Sequence, residues 1–428
     1  MRHHGRNSTQ QPVVIAGLTL NGASVLRHLS SQGYAVWGLS HDRSEPGWHT
    51  RHGRRLHAPN PETDFEAWLE FMRRFSWRFE APPPLLPMSD VLVVALDRAA
   101  PELRECYRFH GFGNGLRTAT TSKRRTFELA AAHEFPHPKT CFVRSRDALA
   151  AFVESLHGPV LIKPDFAAQW RSGAAAAVAS KRKVMMGDDL DTLLAAYDEI
   201  APHTPEVVAQ EVIPGPDENL IYWCGFVGPR GQVGGRLVGR KLRIVPIHFG
   251  SATFVQLVDR PRVEERCAGF LAALGYQGIC GIELKEDPRD GIAKLIEINP
   301  RYSLWDDIGI PVGVDLAREA VESLLGRPTT PARTRHFSQK WVELGRDLPA
   351  FLAYRREGLL STSQWLGSLL PPIRVNDMPW LDDPRYALHT VTSKLRKAMR
   401  AGRRPVRGRH HEPATTLDGH ATVRGCKT

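Results

Sequence analysis

The sequence predicts an α/β protein in three parts: an open, mostly parallel sheet, then an α+β region rich in antiparallel strands, then a helical extension. Three observations carry this. Residues 13–39 read as strand, glycine turn, helix and strand, which is a βαβ unit. Apolar runs at 160–164, 207–213, 220–227 and 233–247 are short, as strands are, and several are bounded by Pro or Gly turns. Beyond Gly326, Pro and Thr at 328–331 mark a linker, and Leu348, Phe351, Leu352, Leu359 and Trp365 follow in helical patches.

The elements follow in order. Val13–Leu18 is a strand, 23–29 has helical spacing, and Tyr34–Leu39 returns as a strand. The turn between them, Gly17-Leu18-Thr19-Leu20-Asn21-Gly22, is not G-x-G-x-x-G, so a nicotinamide site loses its main support. A helix N-terminus near Asn21–Ala23 favours an anion, such as a substrate carboxylate; a tight turn with packing glycines accounts for it equally well. Asp90–Asp97 reads as a further buried strand, completing a parallel sheet over about residues 10–120. The run 81–84 is a stiff loop, and Thr126–Ala132 a short helix stopped by Pro136 and Pro138. Residues 165–183 are rich in Ala, Gly and Ser and carry Arg171, Lys181, Arg182 and Lys183, which suits a mobile basic loop. Helices are expected at 188–199 and 262–274. The expected units are 11–120, 121–327 and 328–392, with disordered termini at 1–10 and 393–428.

A chain of 428 residues with 42% hydrophobic content is long enough for two or three packed domains. No apolar run approaches the roughly 20 residues a bilayer requires, and no apolar signal core follows Met1, so a cytoplasmic protein is expected. Six scattered cysteines without a C-x-x-C pair fit free thiols. The net charge of +11 is largely local: eight Lys or Arg and no acid lie between Lys394 and His411. A solvated tail accounts for this, and peripheral contact with an anionic membrane is compatible with it. No nucleic-acid module accompanies the tail, so no specific nucleic-acid partner is expected; homo-oligomerisation stays open. His41, His49, His52 and His57 lack zinc spacing, and no Ser or Cys sits in a G-x-S-x-G context.

The most informative stretch is Glu297-Ile298-Asn299-Pro300-Arg301 with Glu283 upstream and the turn-prone 287–291 between them. A hairpin symmetric about Asp290 sets Glu283 opposite Glu297, and the two-residue period puts Asn299 on the same face. Two carboxylates and an amide oxygen then converge, an arrangement that calls for a cation. Such hard oxygen donors suit Mg²⁺ (or Mn²⁺), which also takes phosphate ligands.

Other residues complete a set. Lys163 lies on an apolar strand and must find an anion or solvent. Lys123, just before the helix at 126, supplies a second charge. Gln210-Glu211-Val212-Ile213 ends a strand before a Pro-Gly turn, where backbone groups can meet an adenine edge, and Glu218 can take a ribose hydroxyl. In Arg240-Lys241-Leu242-Arg243, alternation puts Lys241 and Arg243 on one face as a cationic patch for phosphates. Arg301 can grip a carboxylate or a phosphoryl group bidentately.

In this order the residues resemble the ATP-grasp superfamily over about residues 10–327, most nearly its carboxylate–amine ligases and carbamoyl-phosphate-synthase-like members. The resemblance implies a Rossmann-like domain, a two-lobed ATP-grasp domain, and ATP with Mg²⁺ as cofactors. It implies that Lys123 and Lys163 contact ATP phosphates, that Glu211 to Ile213 hold adenine and Glu218 the ribose, and that Glu283, Glu297 and Asn299 bind the metal. Arg301, with the Lys241 and Arg243 strand, serves the reacting groups. The implied reaction joins a small carboxylate to an amine through an acyl phosphate. Alternatives are phosphorylation of bicarbonate or carbamate, and a nucleotide-binding scaffold without turnover. The substrate pocket is expected around Thr19–Gly22 and Asp97.

Overall fold

The computed structural model describes residues 11–393, except 157, 171–172, 180–183, 188, 205, 330, 376–381 and 391. The expectations for residues 1–10, for the basic tail from 394 onward, and for Arg171, Lys181, Arg182 and Lys183 lie outside the described residues.

The N-terminal unit contains β1 (Pro12–Ala16), α1 (Leu20–Ser31), β2 (Ala35–Ser40), β3 (Arg54–His57), α2 (Phe65–Ser76), β4 (Leu85–Pro87) and α3 (Asp90–Leu103). Its strands run parallel in the order β3-β2-β1-β4. β1 is buried on both faces, Val13 and Ile15 in one core and Val14 and Ala16 in another, as βαβ topology demands.

Residues 90–97 are helical and not a strand. Ser89 caps α3 by accepting from the Leu92 amide at 3.3 Å, and Asp90 complements the helix dipole. An apolar run of this length is ambiguous by periodicity alone, and the Ser-Asp pair before it carries the deciding signal. The glycine turn is a packing device. A Cβ on Gly22 would lie 2.1 Å from the Gly17 carbonyl oxygen, and Asn21 donates to the carbonyls of Met88 and Tyr302 at 2.9 Å. The Leu18 amide is taken by Glu45 at 2.7 Å, so an internal carboxylate stands near the start of α1.

α4 (Leu116–Thr121) and α5 (Lys123–Ala132) lead into a small lobe. It holds β5 (Thr140–Val143), α6 (Arg146–Glu154), β6 (Val160–Pro164), α7 (Gly173–Val178), β7 (Met185–Gly187), α8 (Leu190–Ile200) and β8 (Val207–Glu211). Its antiparallel sheet has the order β5-β8-β6-β7. The stretch expected to be a loop at 165–183 therefore contains helix α7.

The large lobe contains β9 (Leu220–Val227), β10 (Val233–Val245), β11 (Ser251–Leu257), α9 (Pro261–Ala273), β12 (Gly278–Glu286), β13 (Ala293–Asn299) and α10 (Leu316–Leu324). The C-terminal segment adds β14 (Lys340–Val342), α11 (Leu344–Arg356), α12 (Thr362–Ser368) and β15 (Ile373–Val375). The sheet order is β13-β12-β9-β10-β11-β14-β15. The extension is thus not purely helical: it supplies two strands, and its Trp341 is fully buried in the core. One sheet face carries Tyr222, Cys224 and Phe226; the other carries Ile221, Trp223, Ile282 and Leu295.

Strand β10 departs from simple alternation. Lys241 pairs with Val255 but Arg243 pairs with Phe254, Val255's neighbour, because the register slips at Leu242. Adjacent strand residues point to opposite faces, so the expectation that Lys241 and Arg243 share a face fails. Arg243 instead forms a buried pair with Asp347 of α11, at 2.7 and 2.8 Å. Asp347 also accepts from Thr253 at 3.0 Å and from Trp365 at 2.8 Å. Removing one member of a buried pair leaves the other charge uncompensated, at about 3–5 kcal/mol. Asp347→Ala should lower stability by roughly that amount in urea unfolding, whereas Asp347→Asn, which keeps part of the network, should lower it less.

Candidate active site

Strands β12 and β13 build the centre of the site. Glu283 lies directly opposite Glu297, and Gly281 opposite Asn299. Directly opposed residues hold their Cβ atoms about 4.5–5.5 Å apart, close enough for two carboxylates to share one cation. The turn itself pairs about a centre half a residue short of Asp290, since Leu284 faces Leu295 and the Asp287 amide bonds to the Ile292 carbonyl. One extra residue, Ile296, bulges between the two registers and restores the Glu–Glu pair. It also explains why Leu295 and Ile298, three apart, occupy the same core.

The glutamates do not stand alone. Lys241 Nζ lies 2.5 Å from Glu283 Oε2 and 5.7 Å from the centre of the Tyr222 ring. Lys241 thus supplies one neutralising charge, and the remaining carboxylate oxygens are hard donors. Asn299 Nδ2 donates to Glu297 Oε1 at 3.2 Å, which leaves its Oδ1 directed at Arg301 Nη2, 3.3 Å away. Arg301 also binds Asp90 at the start of α3, at 2.7 and 3.3 Å. A Cβ on Gly281 would sit 1.6 Å from the Tyr222 hydroxyl, so only glycine fits beside Asn299.

From the small lobe comes Lys163, buried on β6. Its Nζ donates to Gln210 Oε1 at 2.7 Å, and Gln210 Nε2 donates to Thr140 at 2.9 Å. Burial pushes the Lys163 ammonium down to about 7; the charge of Lys123 adds to this, and Glu297 and Glu283 oppose it. Lys163 is therefore within electrostatic reach of both carboxylates and of the second lysine. Lys123 opens α5, capped by Ser122. Asp165 clamps this turn, accepting from Ser122 Oγ and the Arg124 amide at 2.8 Å, while its carbonyl lies 3.4 Å from Lys123 Nζ.

The structure brings together Lys123, Lys163, Lys241, Glu283, Glu297, Asn299 and Arg301. Arg243 is held by Asp347 outside this set. Gln210 spends both ends of its amide on Lys163 and Thr140, so it positions a lysine. The amides of Glu211 and Val212 bond to the carbonyls of Lys139 and Pro159, at 2.9 and 3.0 Å, so those two N–H groups are not offered to a base edge. The Glu211 carboxylate pairs with Arg289 at 2.6 Å, Ile213 is buried, and Glu218 is exposed on the turn Asp217–Asn219.

A cavity of about 300 Å³ opens beside this cluster, lined by Lys123, Glu297 and Asn299 on one side and by α2 and α3 residues, including Phe65, Val91, Val94 and Arg98, on the other. The lining of this cavity does not include Thr19–Gly22 or Asp97, around which the substrate pocket was expected. Asp97 accepts from the Gly113 amide at 2.6 Å and from Thr118 Oγ1 at 2.7 Å, tying α3 to α4. Asp90 and the cavity wall are not visible in an apolar run that also suits a strand; the Ser89-Asp90 cap is the local signal that marks the helix.

Among the described residues no group of three or more His, Cys, Asp or Glu forms a ready-made metal cage. The two carboxylates and the Asn299 amide oxygen are hard donors of the kind that would suit Mg²⁺.

Fold and cluster together have the layout of the ATP-grasp fold. No family model matches the chain. It is 26% identical over 242 residues to D-aspartate ligase from Enterococcus faecium (strain Aus0004), a match covering 54% of this chain and 56% of the ligase. The chain thus matches about half the length of that curated relative. The ADP complex of N5-carboxyaminoimidazole synthetase from Staphylococcus aureus superimposes with a TM-score of 0.59 at 12% identity, covering 75% of this chain and 78% of that one. The biotin carboxylase domain of Hydrogenobacter thermophilus 2-oxoglutarate carboxylase, with MgADP, ADP and bicarbonate, gives 0.57 at 15% identity, covering 77% and 72%. The chain has the ATP-grasp fold of these structures and resembles a carboxylate–amine ligase over about half its length.

The Lys163 amine carries a pH signature. Its folded value of about 7 lies below the ordinary lysine value of 10.5, so between these the unfolded chain binds more protons. Its contribution to stability is fully present above about 10.5 and is lost as pH falls through 7. The stability difference between wild type and Lys163→Met should therefore shift in favour of wild type from pH 7 to 8.5, by at most about 1.4 kcal/mol per pH unit. Urea midpoints at several pH values check this.

Proposed function

We propose that the chain is an ATP-dependent carboxylate–amine ligase. A carboxylate oxygen attacks the γ-phosphorus of ATP, the bond to the β,γ-bridging oxygen breaks, and ADP leaves. The acyl phosphate is then attacked at carbon by an amine, which loses a proton as phosphate departs and an amide forms. Such chemistry needs positioning and charge neutralisation and no nucleophilic side chain.

The observation that carries this reading is the Glu283–Glu297 pair with Lys163, Lys123 and Lys241 around it. Glu283, Glu297 and Asn299 would hold Mg²⁺, which when bound neutralises charge on the phosphates. Lys123 and Lys163 would contact the phosphate oxygens, with Gln210 fixing Lys163 and Asp165 fixing the start of α5. Arg301 would orient the acid and steady the acyl phosphate; its bond to Asp90 sets the guanidinium plane. The edge at residues 211–213, whose Glu211 and Val212 amides are already bonded, would meet the nucleoside only through its remaining groups, with Glu218 toward the ribose. The named activity of the relative, ligation of D-aspartate, supports the reaction class.

Release of ADP should depend on a carboxylic acid and Mg²⁺ together. Glu297→Gln should lower it roughly 100- to 1,000-fold while circular dichroism stays native. A folded Glu297→Gln protein with undiminished ADP release would contradict the assignment.

A further inference from the structure

We propose that the acid consumed at this site carries an apolar body on the order of ten non-hydrogen atoms, laid along one face of α3 between the reacting cluster and Arg98. This rests on the ligase reading and names its substrate class.

The α3 residues lining the cavity are Asp90, Val91, Val94, Ala95 and Arg98. At spacings of one, four, five and eight they form a single helical stripe. Asp90 fixes one end, since it binds Arg301, which contacts Asn299. Arg98 is eight residues on, about 12 Å at the helical rise, and its guanidinium lies 3.6 Å above the Phe65 ring. The space between is walled by Val91, Val94, Ala95, Phe65, Phe166 and Ile298, with the exposed Glu62 at its edge.

The threonines in the wall strengthen its apolar character. Thr120, Thr121 and Thr126 donate their hydroxyls to the carbonyls of Arg117, Thr118 and Thr120. Their hydrogen-bonding capacity is thereby directed into the α4–α5 backbone. A volume of about 300 Å³ holds about ten waters at roughly 30 Å³ each. Bicarbonate would leave most of that space as water against apolar walls. An acid with a branched alkyl or aryl body would fill it, carboxylate toward Glu297, Asn299 and Lys123 and tail toward Arg98.

The test measures ADP release by the full chain with MgATP and hydroxylamine as the amine, across acetate, bicarbonate, 4-methylpentanoate and 3-phenylpropanoate. The expected result is a kcat/KM at least tenfold higher for the two apolar acids. Val94→Trp fills the stripe and should raise KM for those acids at least tenfold, while the nucleotide Kd is unchanged. Arg98→Ala, an exposed change, should extend the accepted chain length. Equal rates with acetate or bicarbonate, together with an unaltered KM for apolar acids in Val94→Trp, would overturn the inference and leave the ligase reading standing. Absence of MgATP binding by wild type, read by calorimetry, would overturn the ligase reading and this inference with it.

Discussion

Two carboxylates facing each other across a hairpin is the constraint on which the rest of the site depends. Left alone, Glu283 and Glu297 would repel, and burial would amplify the repulsion. Lys241 answers Glu283 directly, and Lys163, on another sheet, feels the charge of both. The lysine pays for this position by a lowered affinity for its proton. A cluster of this kind is poised to accept a cation and a polyanion together, because each relieves a charge the protein holds under tension.

The folds around the hairpin serve that arrangement. The small lobe supplies Lys163 and, through Asp165, the orientation of Lys123. The N-terminal unit supplies Asp90, which fixes Arg301, and the α2–α3 surface that faces the cavity. The C-terminal segment extends the large sheet by two strands and neutralises Arg243 through Asp347, so that cation belongs to the fold. The small lobe, the N-terminal unit and the large lobe therefore meet at one cluster, each bringing groups the others lack.

Much of this was legible in the sequence, for identifiable reasons. Period-two alternation and a turn-prone centre give the Glu283–Glu297 opposition, and the apolar strand around Lys163 marks a lysine that needs a partner. The same rule failed one strand away, at Leu242, because a bulge carries no strong compositional mark. In the hairpin a bulge at Ile296 offsets a turn centred half a residue from Asp290, so the pairing held through a feature that spacing does not reveal. Asp90–Asp97 suits a buried strand as well as a helix because its six apolar residues run without a break, and only the Ser89-Asp90 cap separates the two. The cavity was illegible: its walls come from α2, α3, α4, α5 and β13, and no local pattern records that they meet.

The central claim is that the opposed glutamates jointly ligate a divalent cation bound with nucleoside polyphosphate. Electron paramagnetic resonance of Mn²⁺ with a non-hydrolysable ATP analogue tests it most directly, comparing wild type with Glu283→Gln and Glu297→Gln. The account predicts a protein-bound Mn²⁺–nucleotide signal in wild type, weakened at least tenfold in affinity by either substitution. Equal Mn²⁺ affinity and an unchanged signal in both folded variants would contradict it.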